Sequence, residues 1–231
     1  MFGKHSTPIL TAAAGVLSVL VWAGSATAHS DIFLDYEAGK LVVHPGHEGL
    51  VFEGDFGDFA GGPYETDDPG FNVDTGDSLG ANDIIGFNVM GPLLYHNGTG
   101  FAVTAATVTF EDAVSTEVDI TSATVSASGW VGQASGTGGL HEHLNMWING
   151  HSAAPVGAYG VLLSLSAYDS SFDPRLDIAD SDLFYIVFNN GLDETTFENA
   201  VGDFAAIVPE PASVLLLLAG GGVMLRRRRK A

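Results

Sequence analysis

The run YGVLLSLSAY, residues 159–168, alternates bulky apolar side chains with small or polar ones. Side chains of an extended strand point to opposite faces in turn. Tyr159, Val161, Leu163, Leu165 and Ala167 would therefore line a single face, and the run predicts a strand packed on a core.

Similar period-2 stretches occupy residues 31–36, 40–44, 83–89, 101–110, 118–127, 141–148 and 183–188. Within 101–110 the phase slips, from Phe101, Val103 and Ala105 to Val108 and Phe110, which predicts a bulge or a bend between two strands. Asn97-Gly98, Asn149-Gly150 and Asn190-Gly191 are turn dipeptides. Residues 193–201 read as the one helix, with Thr195 and Glu198 spaced as a capping box. Many short strands and one short C-terminal helix predict an all-β fold, a single β-sandwich of jelly-roll or immunoglobulin-like type.

The body is strongly acidic. Of eight basic residues among 231, only Lys40 and Arg175 lie between residues 29 and 208, against 27 Asp and Glu. Such a surface repels phosphate backbones, which argues against nucleic acid as a partner, and attracts cations. Hydrophobic residues make up 46% of the chain, enough for a packed core, and no cysteine is present to stabilise it.

The two ends read as targeting segments. Lys4, an apolar run over residues 9–23 and the small-residue pattern Ala26-Thr27-Ala28 match a signal peptide, which predicts export through the Sec translocon and cleavage by signal peptidase after Ala28. At the other end, Pro209-Glu210-Pro211 breaks regular structure, residues 212–225 are apolar, and Arg226, Arg227, Arg228, Arg229 and Lys230 follow. The positive-inside rule keeps that basic block cytoplasmic. Fourteen apolar residues span roughly 21 Å as helix, short of the ~30 Å hydrocarbon core, which suits a transient anchor. The chain divides accordingly into residues 1–28, an exported domain over 29–206, and a tail over 207–231.

The tail resembles the PEP-CTERM sorting signal of biofilm-forming Gram-negative bacteria, carried by Pro209, Glu210, Pro211, the Leu-rich segment and the terminal arginines. The resemblance implies recognition by an exosortase, transient anchoring in the inner membrane, and delivery to the outer surface or an extracellular matrix rich in exopolysaccharide. Residues 141–167 are also similar to a repeat of actinobacterial surface-anchored proteins, through His141, His143, Asn145, Gly157 and Tyr159, although Met146 stands where that repeat has an aromatic.

Residues 53–82 carry eight carboxylates among glycines and read as a surface loop. Its oxygens would suit Ca²⁺, yet the EF-hand spacing is absent, and a solvated acidic loop explains it better. The more pointed stretch is GGLHEHLNMWINGH, residues 138–151. On a strand, His141, His143, Asn145 and Trp147 would share a polar face opposite Glu142, Leu144, Met146 and Ile148. Two histidines two apart suit a divalent metal, Zn or Cu, with His151, or His44 and His47, as further donors. Cleavage after Ala28 would also make His29 the N-terminus, whose amine and imidazole resemble the histidine brace of copper proteins.

No nucleophile elbow, zincin helix or phosphate loop is present, so no catalytic residue is assigned. Three functions follow: a non-enzymatic matrix protein, a metal-binding surface module, or a secreted hydrolase of matrix glycans using paired carboxylates.

Overall fold

The computed structural model describes residues 31–47, 49–58, 62–73 and 79–208. Among these lie fifteen strands in three sheets, none closed into a barrel, and one helix. The chain is an all-β sandwich, as its alternation predicts.

The largest sheet is organised by β14 (Gly157–Tyr168). One edge of β14 pairs antiparallel with β15 (Phe184–Asn190), and β3 (Val51–Asp55) adds parallel beyond it. The other edge is shared by β6 (Ile84–Val89) and β7 (Leu94–His96), with β11 (Ala127–Gln133) outside β6 and β8 (Phe101–Ala102) outside β7. A second sheet runs β12 (Leu140–Glu142), β5 (Phe71–Val73), β1 (Ile32–Glu37), β2 (Lys40–Val43). A third runs β10 (Glu117–Thr121), β9 (Thr107–Glu111), β13 (Asn145–Ile148), β4 (Glu65–Thr66).

The five residues expected on one face of β14 are all buried in the main core, with Phe87, Phe110, Phe184 and Phe188 around them. The phase slip at 101–110 is a bend between strands of different sheets, β8 and β9. Three expectations need correction. Residues 53–82 are not one loop: the end of β3, β4 and β5 lie within them, because Phe71 and Val73 insert into the core. The histidine run is two strands, since β12 and β13 belong to different sheets. Trp147 is buried rather than presented, because β13 lies between β9 and β4 with residues packed over both faces.

The helix α1 (Glu194–Ala205) closes the outer face of β14, β15 and β3. Its N-cap is Asp193, whose carboxylate accepts hydrogen bonds from the Thr196 amide (3.2 Å) and hydroxyl (2.7 Å), so the Thr195–Glu198 box is not the cap. Phe197, Ala200, Val201 and Phe204 form its buried side. Gly160 admits Phe204: a methyl at that position would overlap the Phe204 ring.

Two glycines should therefore respond in opposite directions. Gly160→Ala overpacks the helix seat and should cost about 1–3 kcal/mol, while Gly202→Ala, on the open side of α1, should gain about 0.5–1 kcal/mol. Urea denaturation followed by far-UV circular dichroism reads both. The Asp193 cap adds a pH signature. Hydrogen bonds from Thr196 hold its carboxyl below the usual range, so its stabilisation is present above the unfolded pKa near 3.9 and lost as pH falls through the folded one. Melts of wild type and Asp193→Ala should differ at neutral pH, begin to converge below about pH 4 and meet once the folded carboxyl is protonated.

Candidate metal centre

Three neighbouring strands assemble the site. Glu142 on β12 stands opposite Phe71 on β5, and Ile32 on β1 stands opposite the same Phe71. One step further along lie His143, Gly70 and Asp31, where the Ile32 amide donates to the Gly70 carbonyl at 2.7 Å. Adjacent strands are about 4.8 Å apart, so Asp31 and His143 can meet only by reaching over the middle position. Gly70 leaves that position open. A methyl there would lie 2.6 Å from both Cε1 and Nε2 of His143 and 2.9 Å from Asp31 Oδ1.

His141 joins from the same side of β12, its ring edge-on to that of His143 with centroids 5.1 Å apart. His141 Nδ1 lies 3.6 Å from Asp31 Oδ2, and His143 Nε2 lies 3.9 Å from Asp31 Oδ1. These separations are too long for hydrogen bonds. They come close to the roughly 3.3–3.5 Å between donor atoms of a tetrahedral ion with bonds near 2.1 Å.

The tautomer of His143 also suits a ligand. Its Nδ1 is 2.9 Å from the Asp67 carbonyl oxygen, which can only accept, so Nδ1 carries a hydrogen and, in the neutral ring, Nε2 presents its lone pair on the Asp31 side. A metal-binding histidine is held in this way, its second nitrogen tied to a carbonyl. Asp68 Oδ1, 3.5 Å from the same Nδ1, adds negative charge behind the ring. Asp67, Asp68 and His143 also converge, but there Nδ1 is already engaged, so Asp31, His141 and His143 are the set better placed to hold an ion. The side chain of His141 is 61% exposed and that of His143 31%, which leaves coordination positions open to water or an external ligand.

His151 does not join them. Its Nδ1 bonds Glu65 Oε1 at 2.7 Å and its ring stacks on Trp147 at 4.6 Å. His44 faces Asp35 and Glu37 in a separate cluster. His29, Ala26, Ala28 and the tail residues Pro209, Glu210, Pro211 and Arg226 to Arg229 lie outside the described residues. Among the described residues no helix is long and apolar enough to cross a membrane. Asp31, Asp68 and Gly70 carry no local signal in the sequence; the antiparallel pairing of β12 with β5 brings Gly70 beside His143, and the parallel pairing of β1 with β5 adds Asp31.

Gly70→Ala should displace the His143 ring from Asp31 and weaken Zn²⁺ binding by about 10-fold or more, the scale seen when a ligand's support is lost. Gly136→Ala, with open space around it, should bind as wild type in the same calorimetric titration. No protein-family model matches this chain, and none of the curated proteins matches it.

Proposed function

We propose that this is an exported β-sandwich protein that holds one divalent transition-metal ion at Asp31, His141 and His143, and that its terminal signals deliver it to the outer surface or extracellular matrix. The observation that carries the metal assignment is the convergence of two imidazoles on one carboxylate, with the His143 tautomer set by the Asp67 carbonyl. Two nitrogens and one carboxylate oxygen suit Zn or Cu, whereas Ca²⁺ takes six to eight oxygens. The role is binding, and no residue is assigned to turnover.

Support for the sorting half comes from the sequence at both ends. The two halves meet at His29. It precedes Asp31 by two residues, so chain connectivity alone keeps their Cα atoms within about 7 Å. Cleavage after Ala28 would give His29 a free amine, and that amine and its imidazole are then further nitrogen donors within reach of the same ion.

Intact mass and metal analysis of the protein isolated from its host test both halves. The expected species begins at His29, ends near Pro209 and carries one metal ion per chain. His141→Ala/His143→Ala should lose the metal and keep the β-sheet circular dichroism. A full-length tail in the membrane fraction would overturn the sorting assignment, and sub-stoichiometric metal in wild type would overturn the metal assignment.

A further inference from the structure

A cleft of about 590 Å³ shares His143 with the metal centre, a volume typical of ligand-binding sites. Its walls come from separate elements: Trp130 and Gln133 from β11, Glu111 from the end of β9, Glu142 and Asn145 around the passage from β12 to β13, and Phe172 from the loop after β14.

Two features of this cleft point to a ligand. The first is Phe172, 53% exposed and held at φ 65°, a left-handed conformation costly for a bulky residue. Asp169 imposes it, its carboxylate accepting from the Ser171 and Asp173 amides and its carbonyl from Phe172. The Phe172 ring meets Trp130 edge-on at 5.2 Å, and Trp130 meets Tyr168 at 4.9 Å, so an aromatic cluster ends in an exposed ring at the rim. The second is Glu142. Its carboxylate has no hydrogen-bond or ion-pair partner among the described residues, and its stem lies across Gly132, where a methyl would stand 2.6 Å from Glu142 Cγ.

The chemistry of the lining narrows the ligand. No lysine or arginine lines the cleft, and Glu111 and Glu142 oppose an anion. An apolar ligand would desolvate those carboxylates without compensation. Glu111 gives one oxygen to the Asn145 amide (3.2 Å), and Gln133 donates its amide hydrogen to the Asn82 carbonyl (3.1 Å), leaving acceptor oxygens available on both. These acceptors are spread over three elements rather than focused on one point, which suits many hydroxyl donors better than a single ammonium. Aromatic rings beside them suit a flat C–H face.

We infer that this cleft binds a segment of uncharged polysaccharide, its hydroxyls donating to Glu142, Glu111 and Gln133 and its ring faces packing against Phe172 and Trp130. The inference rests on the matrix reading for the source of the glycan, while the cleft's chemistry stands without it.

Affinity electrophoresis in native gels tests it, using protein isolated from the host and gels containing dextran, laminarin, galactomannan or alginate. Wild type should be retarded by at least one of the three neutral polysaccharides and not by alginate. Glu142→Ala and Phe172→Ser, both changes of exposed side chains, should each weaken that retardation about tenfold, and Val125→Ser, exposed and outside the lining, should not. Absence of retardation on every neutral gel, equal retardation on alginate, or full retardation of both cleft variants would each overturn the assignment. Intact mass of the same preparation separates the two readings: an unprocessed tail with neutral-glycan retardation refutes the sorting and keeps the cleft, and a processed chain without retardation does the reverse.

Discussion

Mutual repulsion among 27 carboxylates, with two cations in the body to offset them, is the constraint under which this fold is built. Both cations fasten the connection between β14 and β15. Lys40 Nζ pairs with Asp182 at 2.6 Å, and Arg175 bonds Asp177 at 2.9 Å and the buried Asp83 at 2.5 Å. The hydrogen bond between Arg175 and Asp177 holds the guanidinium more firmly protonated and the carboxyl below its ordinary range. Other acids turn to the backbone. Asp112, buried at the turn between β9 and β10, accepts from the amides of Val114, Thr116 and Trp130, and Asp169 and Asp193 serve their turns in the same way. Amide hydrogens at turns and at a helix start lack partners of their own, so a carboxylate there answers a need of the chain as well as its own.

What remains after that distribution is informative. Asp31 is committed to no turn and no cation, and the groups nearest its oxygens are two imidazoles. Glu142 has no partner at all among the described residues. In a body without spare lysine or arginine, a cation from solution would complement Asp31 and the two imidazoles beside it. A metal ion fits the nitrogen-rich side of this region, and a hydroxylated neutral ligand fits the acceptor-rich side. Both proposals draw on the same shortage of cations.

The sequence was most legible where one strand is long and buried on a single face. Alternation over residues 159–168 reports its own burial, because Tyr159 through Ala167 pack inward at every second position. The helix was legible for a similar reason, though its cap was displaced by two residues: Asp193 has the longer reach to the Thr196 amide and hydroxyl. The pairing of His141 with His143 was also readable, since two residues on one short strand share a side. Strands of two or three residues such as β4 and β5 were not, because glycines and carboxylates around them hide a period that needs more length to appear. Nor was the Asp31–Gly70–His143 row, which exists only through strand neighbours about forty and seventy residues apart in sequence. His151 was misplaced because proximity in sequence, just past the Asn149-Gly150 turn, is not proximity in space once β13 leaves for another sheet.

That departure explains why metal centre and cleft share a residue. β12 ends at Glu142 in the second sheet and β13 begins at Asn145 in the third, so His143 and Leu144 belong to neither ladder. Leu144 turns into the core and His143 turns out, its Nδ1 on the Asp67 carbonyl and its Nε2 toward Asp31. Glu142 and Asn145 on either side are left facing the space between the sheets, which is the cleft. An ion drawn to Nε2 and a ligand packed beside the same ring would act on one imidazole whose position is fixed by a single hydrogen bond. Any preference of one occupant for a particular ring position is then felt by the other, and equilibrium linkage requires that the effect be mutual.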